Sequence, residues 1–269
     1  MNAHRNTRIG ARFDRLKTER RAALIAYLTA GDPHPERTPA LVAALERGGA
    51  DVIELGVPFS DPIADGPVIQ RGSDRALKAG ANVRHVLEIA REIRRHSEIP
   101  ILLFSYLNPL LRYGFKALAK DAADAGADGV LLIDLSVEEA AEHLPPLREA
   151  GLDTVFLAAP TSTPERLALV SRYSTGFVYL VSRAGVTGEQ ISLSESIGPL
   201  VKAVKKYTDL PLAVGFGIST PEQAGAVAQL ADGVVVGSSV VRIIEQGGTD
   251  LEKNLEAFAA GLSGRLGKT

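Results

Sequence analysis

The 269-residue chain has no cysteine. This excludes a disulfide framework, a thiolate metal site and a cysteine nucleophile, and it suits a reducing compartment without requiring one. Charge of one sign is not in excess: 30 Lys and Arg stand against 32 Asp and Glu, for a net charge of −2. The chain therefore lacks the electrostatic footprint that nucleic acid or an anionic membrane would demand of a partner. No apolar run reaches the roughly 20 residues needed to cross a bilayer. Residues 1–21 are polar and Arg-rich, without the apolar segment of a secretory signal. Residues 1–12 carry Arg5, Arg8 and Arg12 and no acid, which gives them a faint transit-peptide character; the simpler reading is a solvated lead-in to a first helix over 9–17. His4, His34, His85, His96 and His143 show no metal-like spacing. A cytoplasmic protein with neither metal nor cofactor is expected.

What is present is a repeating cycle. Short, near-continuous apolar runs occur at 22–28, 52–55, 101–106, 130–133, 154–157, 177–181, 212–214 and 234–236. Such runs suit parallel strands buried on both faces. Helical patterns lie between them, among others at 36–47, 67–78, 83–95, 115–125, 137–150 and 222–230, and an amphipathic stretch at 251–266 suits the last helix of an outer ring. Gly48, Gly126 and Gly151 stand where helices end, and left-handed caps are expected there. Eight alternations without a composition break predict an α/β protein, a single (β/α)8 TIM barrel over 1–269 with an extra N-terminal helix. A doubly wound open sheet is the alternative, but its Gly-rich fingerprint is missing. Thr29-Ala30-Gly31-Asp32-Pro33 follows the first strand instead, which reads as a tight turn.

In a barrel, chemistry gathers where strands end. Glu54 lies between Ile53 and Leu55 late in the second strand, an unfavourable place for a carboxylate unless it is paired or functional. The following loop brings Asp61 and Asp65 to the mouth. Asp65 precedes Gly66-Pro67 and a helical pattern, so helix capping competes with a functional role. Gly185 and Gly188 follow the sixth strand, Gly215-Phe216-Gly217 the seventh, and Gly237-Ser238-Ser239 the eighth, the last two opening helices. Glycines and unpaired helix N-terminal amides on consecutive loops suit a phosphate-bearing substrate, although ordinary turns and caps use the same residues. Tyr106 and Asn108 end the third strand and serve either the pocket or packing. No Lys falls clearly at a strand end, which disfavours a Schiff-base aldolase.

The segment from Glu54-Leu55-Gly56-Val57-Pro58-Phe59-Ser60-Asp61-Pro62 through Asp65-Gly66-Pro67 to Ile69-Gln70 closely resembles the signature of tryptophan synthase α subunits. Tyr179 to Gly188, Gly215 to Ser219 with Pro221-Glu222-Gln223, and Gly237-Ser238 resemble that family's later motifs, in its order and spacing. The resemblance implies retro-aldol cleavage of indole-3-glycerol phosphate to indole and D-glyceraldehyde 3-phosphate, with no cofactor. It implies Glu54 and Asp65 as the catalytic carboxylates. Gly188, Gly217, Gly237 and Ser238 would hold phosphate, Thr187 would lie on a lid near Asp65, and Tyr106, Tyr179 and Phe216 would line the indole pocket. Asp61, Asn108 and Ser136 would face a β subunit, in an α2β2 assembly to which indole is passed. A stand-alone lyase releasing free indole would use the same residues. Two departures stand out: Ser136 replaces a proline common in the region of the partner contact, and Ala184 replaces a hydroxyl residue common in the lid.

Overall fold

The computed structural model describes residues 7–181, 193–215 and 217–268. Among them, eight strands alternate with helices: β1 (Ala23–Thr29), β2 (Val52–Gly56), β3 (Ile101–Ser105), β4 (Gly129–Leu132), β5 (Asp153–Ala158), β6 (Val178–Val181), β7 (Leu212–Gly215) and β8 (Gly233–Val236). Helix α1 (Arg8–Thr18) precedes β1, and α2 (Thr38–Arg47) follows it after a short 3-10 turn (Pro35–Arg37). Then come α3 (Pro67–Lys78), α4 (Val83–Arg94), α5 (Leu107–Tyr113), α6 (Phe115–Asp124), α7 (Ala140–Glu149) and α8 (Pro164–Tyr173). The last four are α9 (Leu193–Val204), α10 (Pro221–Ala228), α11 (Ser238–Gln246) and α12 (Leu251–Ser263).

Every strand pairs in parallel with its sequence neighbour, and β1 pairs with both β2 and β8. The sheet is thus a closed barrel, and the open doubly wound alternative falls. Alternation along the strands splits the core in two. Leu24, Leu28, Ile53, Leu55, Ile101, Leu103 and Val234 face the helices. Ile25, Tyr27, Val52, Leu102, Phe104, Val155, Ala213 and Val235 fill the barrel. Ile9, Phe13 and Leu16 of α1 join that inner group, with the Phe13 ring 5.7 Å from Phe177. Each such side chain removed from water contributes about 1.5–3 kcal/mol, enough to hold α1 as a plug over the end of the barrel where the strands begin. The helix starts at Arg8, inside the stretch read as a lead-in, because Thr7 accepts the Gly10 amide at 3.1 Å and Ile9 is fully buried.

Three aspartates one residue ahead of a strand fasten the plugged end. Asp51 accepts the Leu24 amide at 2.8 Å, Asp128 the Ile101 amide at 2.8 Å, and Asp232 the Leu212 amide at 3.1 Å. Each carboxylate so holds the first amides of the preceding strand. Arg21 adds a fork to Asp51 at 2.6 and 2.9 Å, while Arg8 and Arg94 reach Asp128 at 3.0 and 2.9 Å. Removing one member of a buried pair strands the other. Asp51→Ala is therefore expected to lower stability by about 3 kcal/mol, read as a shifted urea midpoint with unchanged slope. Loss of less than about 1 kcal/mol would deny the clamp that role.

Two local expectations change. Gly48 is right-handed, at φ −72°, and the left-handed position is its neighbour Gly49 at φ +95°; Gly126 (+83°) and Gly151 (+76°) are left-handed as expected. The segment after β3 is a helix, α5, rather than a strand end carrying Asn108. Its first amide, Leu107, donates to the Asp134 carboxylate at 2.7 Å, so the cap comes from the loop after β4.

Candidate active site

Glu54 lies opposite Tyr27 of β1 and Leu102 of β3. Its strand neighbours Ile53 and Leu55 face the helices, so alternation turns Glu54 into the barrel with Val52. The side chain is 1% exposed, and among the described residues Oε1 has no hydrogen-bond partner. Burial without compensation penalises the charged form and pushes this carboxyl up to about 8. At neutral pH the barrel interior thus contains a protonated acid with an unused oxygen.

The glycines around it have a specific cause. A Cβ on Gly56 would collide with the Tyr27 hydroxyl, and one on Gly215 with the Tyr179 hydroxyl. Both glycines are small because a phenol from a neighbouring part of the barrel fills the space. Gly215, read from the sequence as an opening for ligand, is explained by Tyr179. Tyr27, which sequence reasoning missed, sits with its ring base against Gly237: a Cβ there would lie 3.4 Å from Tyr27 Cβ and Cδ1. Its hydroxyl lies 3.3 Å from Thr29 Oγ1, and its ring meets Phe104 edge-on at 5.2 Å. The signal that would have found it is the register, since an inward Glu54 requires Tyr27 beside it to point inward too.

Asp65 approaches from the loop after β2. Its carboxylate accepts the Tyr106 hydroxyl at 3.0 Å, and Tyr106 in turn accepts the Ala64 amide at 2.9 Å. Gln70, the last residue of the family-like segment, donates to the Asp65 carbonyl at 2.9 Å and so holds the loop to the first turn of α3. The N-cap of α3 is Gly66 and no side chain caps it, so the capping role expected as a rival for Asp65 is not the one it plays. Burial raises the Asp65 carboxyl to about 6, opposed by the Tyr106 hydrogen bond. The phenols of Tyr27 and Tyr179 are raised above the usual tyrosine range, first by burial and then by the negative charges of both Asp65 and Glu54. The charges of both carboxylates thus act on these two rings.

On the other side of β1 from β2, the two helices after β7 and β8 differ. At α10, Thr220 accepts the Gln223 amide and the Gln223 side chain accepts those of Ser219 and Thr220, a closed capping box that uses up donors. At α11, Gly237 is the N-cap and no side chain among the described residues caps the helix. Its first amides and positive dipole end, at Ser238, have no side-chain partner among the described residues, and such an end suits an anion. Gly217 is exposed with φ +61°, a left-handed conformation suited to glycine. Thr187, Gly188 and Phe216, also expected at the site, lie outside the described residues.

The residues expected to meet a partner are spread over two loops and the helix α5. Asp61 is exposed and accepts the Ser60 hydroxyl at 2.6 Å; Asn108 is exposed on α5; Ser136 is half-buried and donates to Glu138 at 2.8 Å. Two large apolar side chains are exposed nearby in sequence, Ile63 in the loop after β2 at 87% and Leu111 on α5 at 47%.

Comparison with known proteins identifies the family and the fold. Residues 13–265 match the family described as Tryptophan synthase alpha chain. The chain is 64% identical over 263 residues to the tryptophan synthase alpha chain of Solibacter usitatus, covering 97% of this chain and 98% of that relative. It is 48% identical over 266 residues to that of Methanosarcina acetivorans, covering 98% and 96%. Among solved structures, tryptophan synthase subunit alpha from Legionella pneumophila str. Paris superimposes with a TM-score of 0.89 at 38% identity, covering 97% of this chain and 98% of that one. Mycobacterium tuberculosis tryptophan synthase gives 0.89 at 41% identity, covering 98% and 99%. With the match spanning nearly the whole barrel and both ends of its mouth, the chain belongs to the tryptophan synthase alpha chain family.

Proposed function

We propose that this chain cleaves indole-3-glycerol phosphate by a retro-aldol reaction, with Glu54 and Asp65 as its catalytic carboxylates. The observation that carries the reading is the buried Glu54 carboxyl, protonated near neutral pH and with Oε1 unpartnered among the described residues. Glu54 gives its proton to indole C3, and the ring becomes an iminium at nitrogen. Asp65 accepts the ring N–H and stabilises the positive charge developing there. The Glu54 carboxylate then takes the proton of the hydroxyl on the carbon attached to C3. That oxygen forms the aldehyde carbonyl, the bond to C3 breaks, and its electron pair restores the aromatic ring. Glu54 is again protonated when indole and D-glyceraldehyde 3-phosphate part.

The phosphate rests on the uncapped amides of α11 at Gly237 and Ser238, with Gly217 giving room on the adjoining loop. Tyr106 orients Asp65, and Tyr179 packs against the inner face of the barrel, where it would wall the indole. In this reading the chain works in the cytoplasm as one domain, the α subunit of an α2β2 assembly. Asp61, Asn108 and Ser136, with exposed Ile63 and Leu111, form the face toward the β subunit.

The test is indole release from indole-3-glycerol phosphate by the full chain, with and without a tryptophan synthase β subunit. Slow release by the chain alone and at least a tenfold gain on mixing, about 1.4 kcal/mol of barrier, is the expected result. Equal rates in both conditions would mark a stand-alone lyase, and no indole in either would overturn the reaction.

A further inference from the structure

The proposed reaction requires the Asp65 carboxylate and the phosphate anchor at Ser238 to be held one substrate length apart. They sit at the starts of different helices: Asp65 is two residues before α3, and Ser238 is the first residue of α11. Farther down, the two helices are joined by one continuous set of ion pairs. Arg71 of α3 donates a two-pronged fork to Glu245 of α11, at 2.6 and 2.9 Å. One turn on, Arg75 donates to the same Glu245 at 2.9 Å and places a second fork on Asp32, at 2.8 and 2.7 Å. Asp32 follows β1 and is wholly buried, so the turn expected there also delivers an acid to the helix layer.

The packing leaves these groups little play. A Cβ on Gly72, between the two arginines, would lie 3.1 Å from Asp32 Oδ2 and Thr29 Oγ1 and 3.0 Å from Val241 of α11. The α3 backbone is pressed against both the end of β1 and the flank of α11. Stability alone does not explain the outer pair, because a partly exposed pair such as Arg71–Glu245 contributes little. Planar forks do fix direction as well as distance, which a lysine ammonium cannot do. The two guanidiniums also hold the Glu245 carboxyl down at about 2, so it stays ionised across the working range.

We propose that Arg75, with Arg71 and Glu245, is a positioning residue for the cleavage: the clamp from Asp32 through α3 to α11 sets the spacing between the Asp65 carboxylate and the phosphate anchor at Ser238. The inference rests on the functional reading above. Each anchor is intact when the clamp is loosened, but the two no longer fit one transition state. Misplacement on the scale of 1 Å costs about 100-fold in rate, while binding of a fragment that touches one anchor is spared.

The experiment uses full-length E245Q and R75K, with kcat and KM for indole-3-glycerol phosphate and calorimetric Kd for glycerol 3-phosphate, a mimic of the substrate tail. Both variants are expected to lose about 10- to 100-fold in kcat, with the Kd for glycerol 3-phosphate changed less than about threefold, under 0.7 kcal/mol. In a D65N background, E245Q should cost little more, because its effect runs through Asp65. A parental kcat in folded E245Q, or the same loss with and without Asp65, would overturn the clamp. E245Q carries the test if R75K leaves Asp32 stranded and fails to fold. A parental kcat in D65N alone would overturn the functional reading instead, so the two failures are separable.

Discussion

Glu54→Gln is expected to abolish indole release while making the barrel more stable. Glutamine has the shape of the neutral acid but no proton to deliver, so both the protonation of C3 and the later removal of the hydroxyl proton are lost. General acid–base groups contribute about 10²- to 10⁴-fold each, and a kcat at least 10³-fold below the parent is the expected value. The stability effect has a definite sign. The Glu54 carboxyl titrates at 4.5 in an unfolded chain and is pushed to about 8 by burial in the folded one. Between those values the folded chain keeps a proton that the unfolded chain has released. Stability therefore falls as pH rises through this window and levels off above it. Glutamine does not ionise, so the variant escapes the loss. Its advantage should be near zero below pH 4.5 and grow to something on the order of 5 kcal/mol above pH 8. Thermal unfolding of parent and variant at pH 5 and pH 8.5 checks this, with glycerol 3-phosphate binding as a control for the intact mouth. A variant that turns over near the parental rate removes Glu54 from the chemistry; one with no pH-dependent gain in melting temperature denies that the carboxyl is desolvated.

The barrel itself is legible from the chain because its strands are buried on both faces, which makes each a short unbroken apolar run. The same property hides which residues face inward. The run that became β1 gives no hint that Tyr27 points into the barrel, since an interior tyrosine and an exterior leucine are both simply apolar. Only pairing with an inward Glu54 orients it. Asp65 shows the other limit. An Asp ahead of Gly-Pro and a helix has the local sequence of a cap, and the deciding contact is with Tyr106, 41 residues away. Likewise α5 starts on Asp134, 27 residues later, so no local signal ends the strand and opens the helix where it does. Gly215 reads from the sequence as an opening for ligand, whereas its cause, the Tyr179 hydroxyl, is on the neighbouring strand. Local propensity and burial pattern fix elements; which side chain faces which cavity is settled across the sheet.

Asp65→Asn is expected to lower kcat by about 10²- to 10³-fold, the scale set by removing one preorganised charge from a developing ion. The pH profile distinguishes this role from a structural one. Asp65 must be ionised to stabilise the ring nitrogen, and burial sets its carboxyl at about 6 against the Tyr106 hydrogen bond. Glu54 must be protonated to act as the acid, and it loses that proton at about 8. In the parent, kcat/KM should rise as pH climbs through 6 and fall as it climbs through 8, a bell centred near neutrality. Asparagine has no charge to lose, so the variant should keep the alkaline limb and show no acidic one, on a profile displaced downward throughout. A residue that only capped α3 would behave differently, costing about 1 kcal/mol of stability with the rate and both limbs unmoved. The cap position is already taken by Gly66, and Gln70 holds the Asp65 backbone without help from its carboxylate. The asparagine variant should therefore fold normally. An acidic limb that persisted in it would assign that titration to another group and leave the stabilisation of the indole nitrogen without its anion.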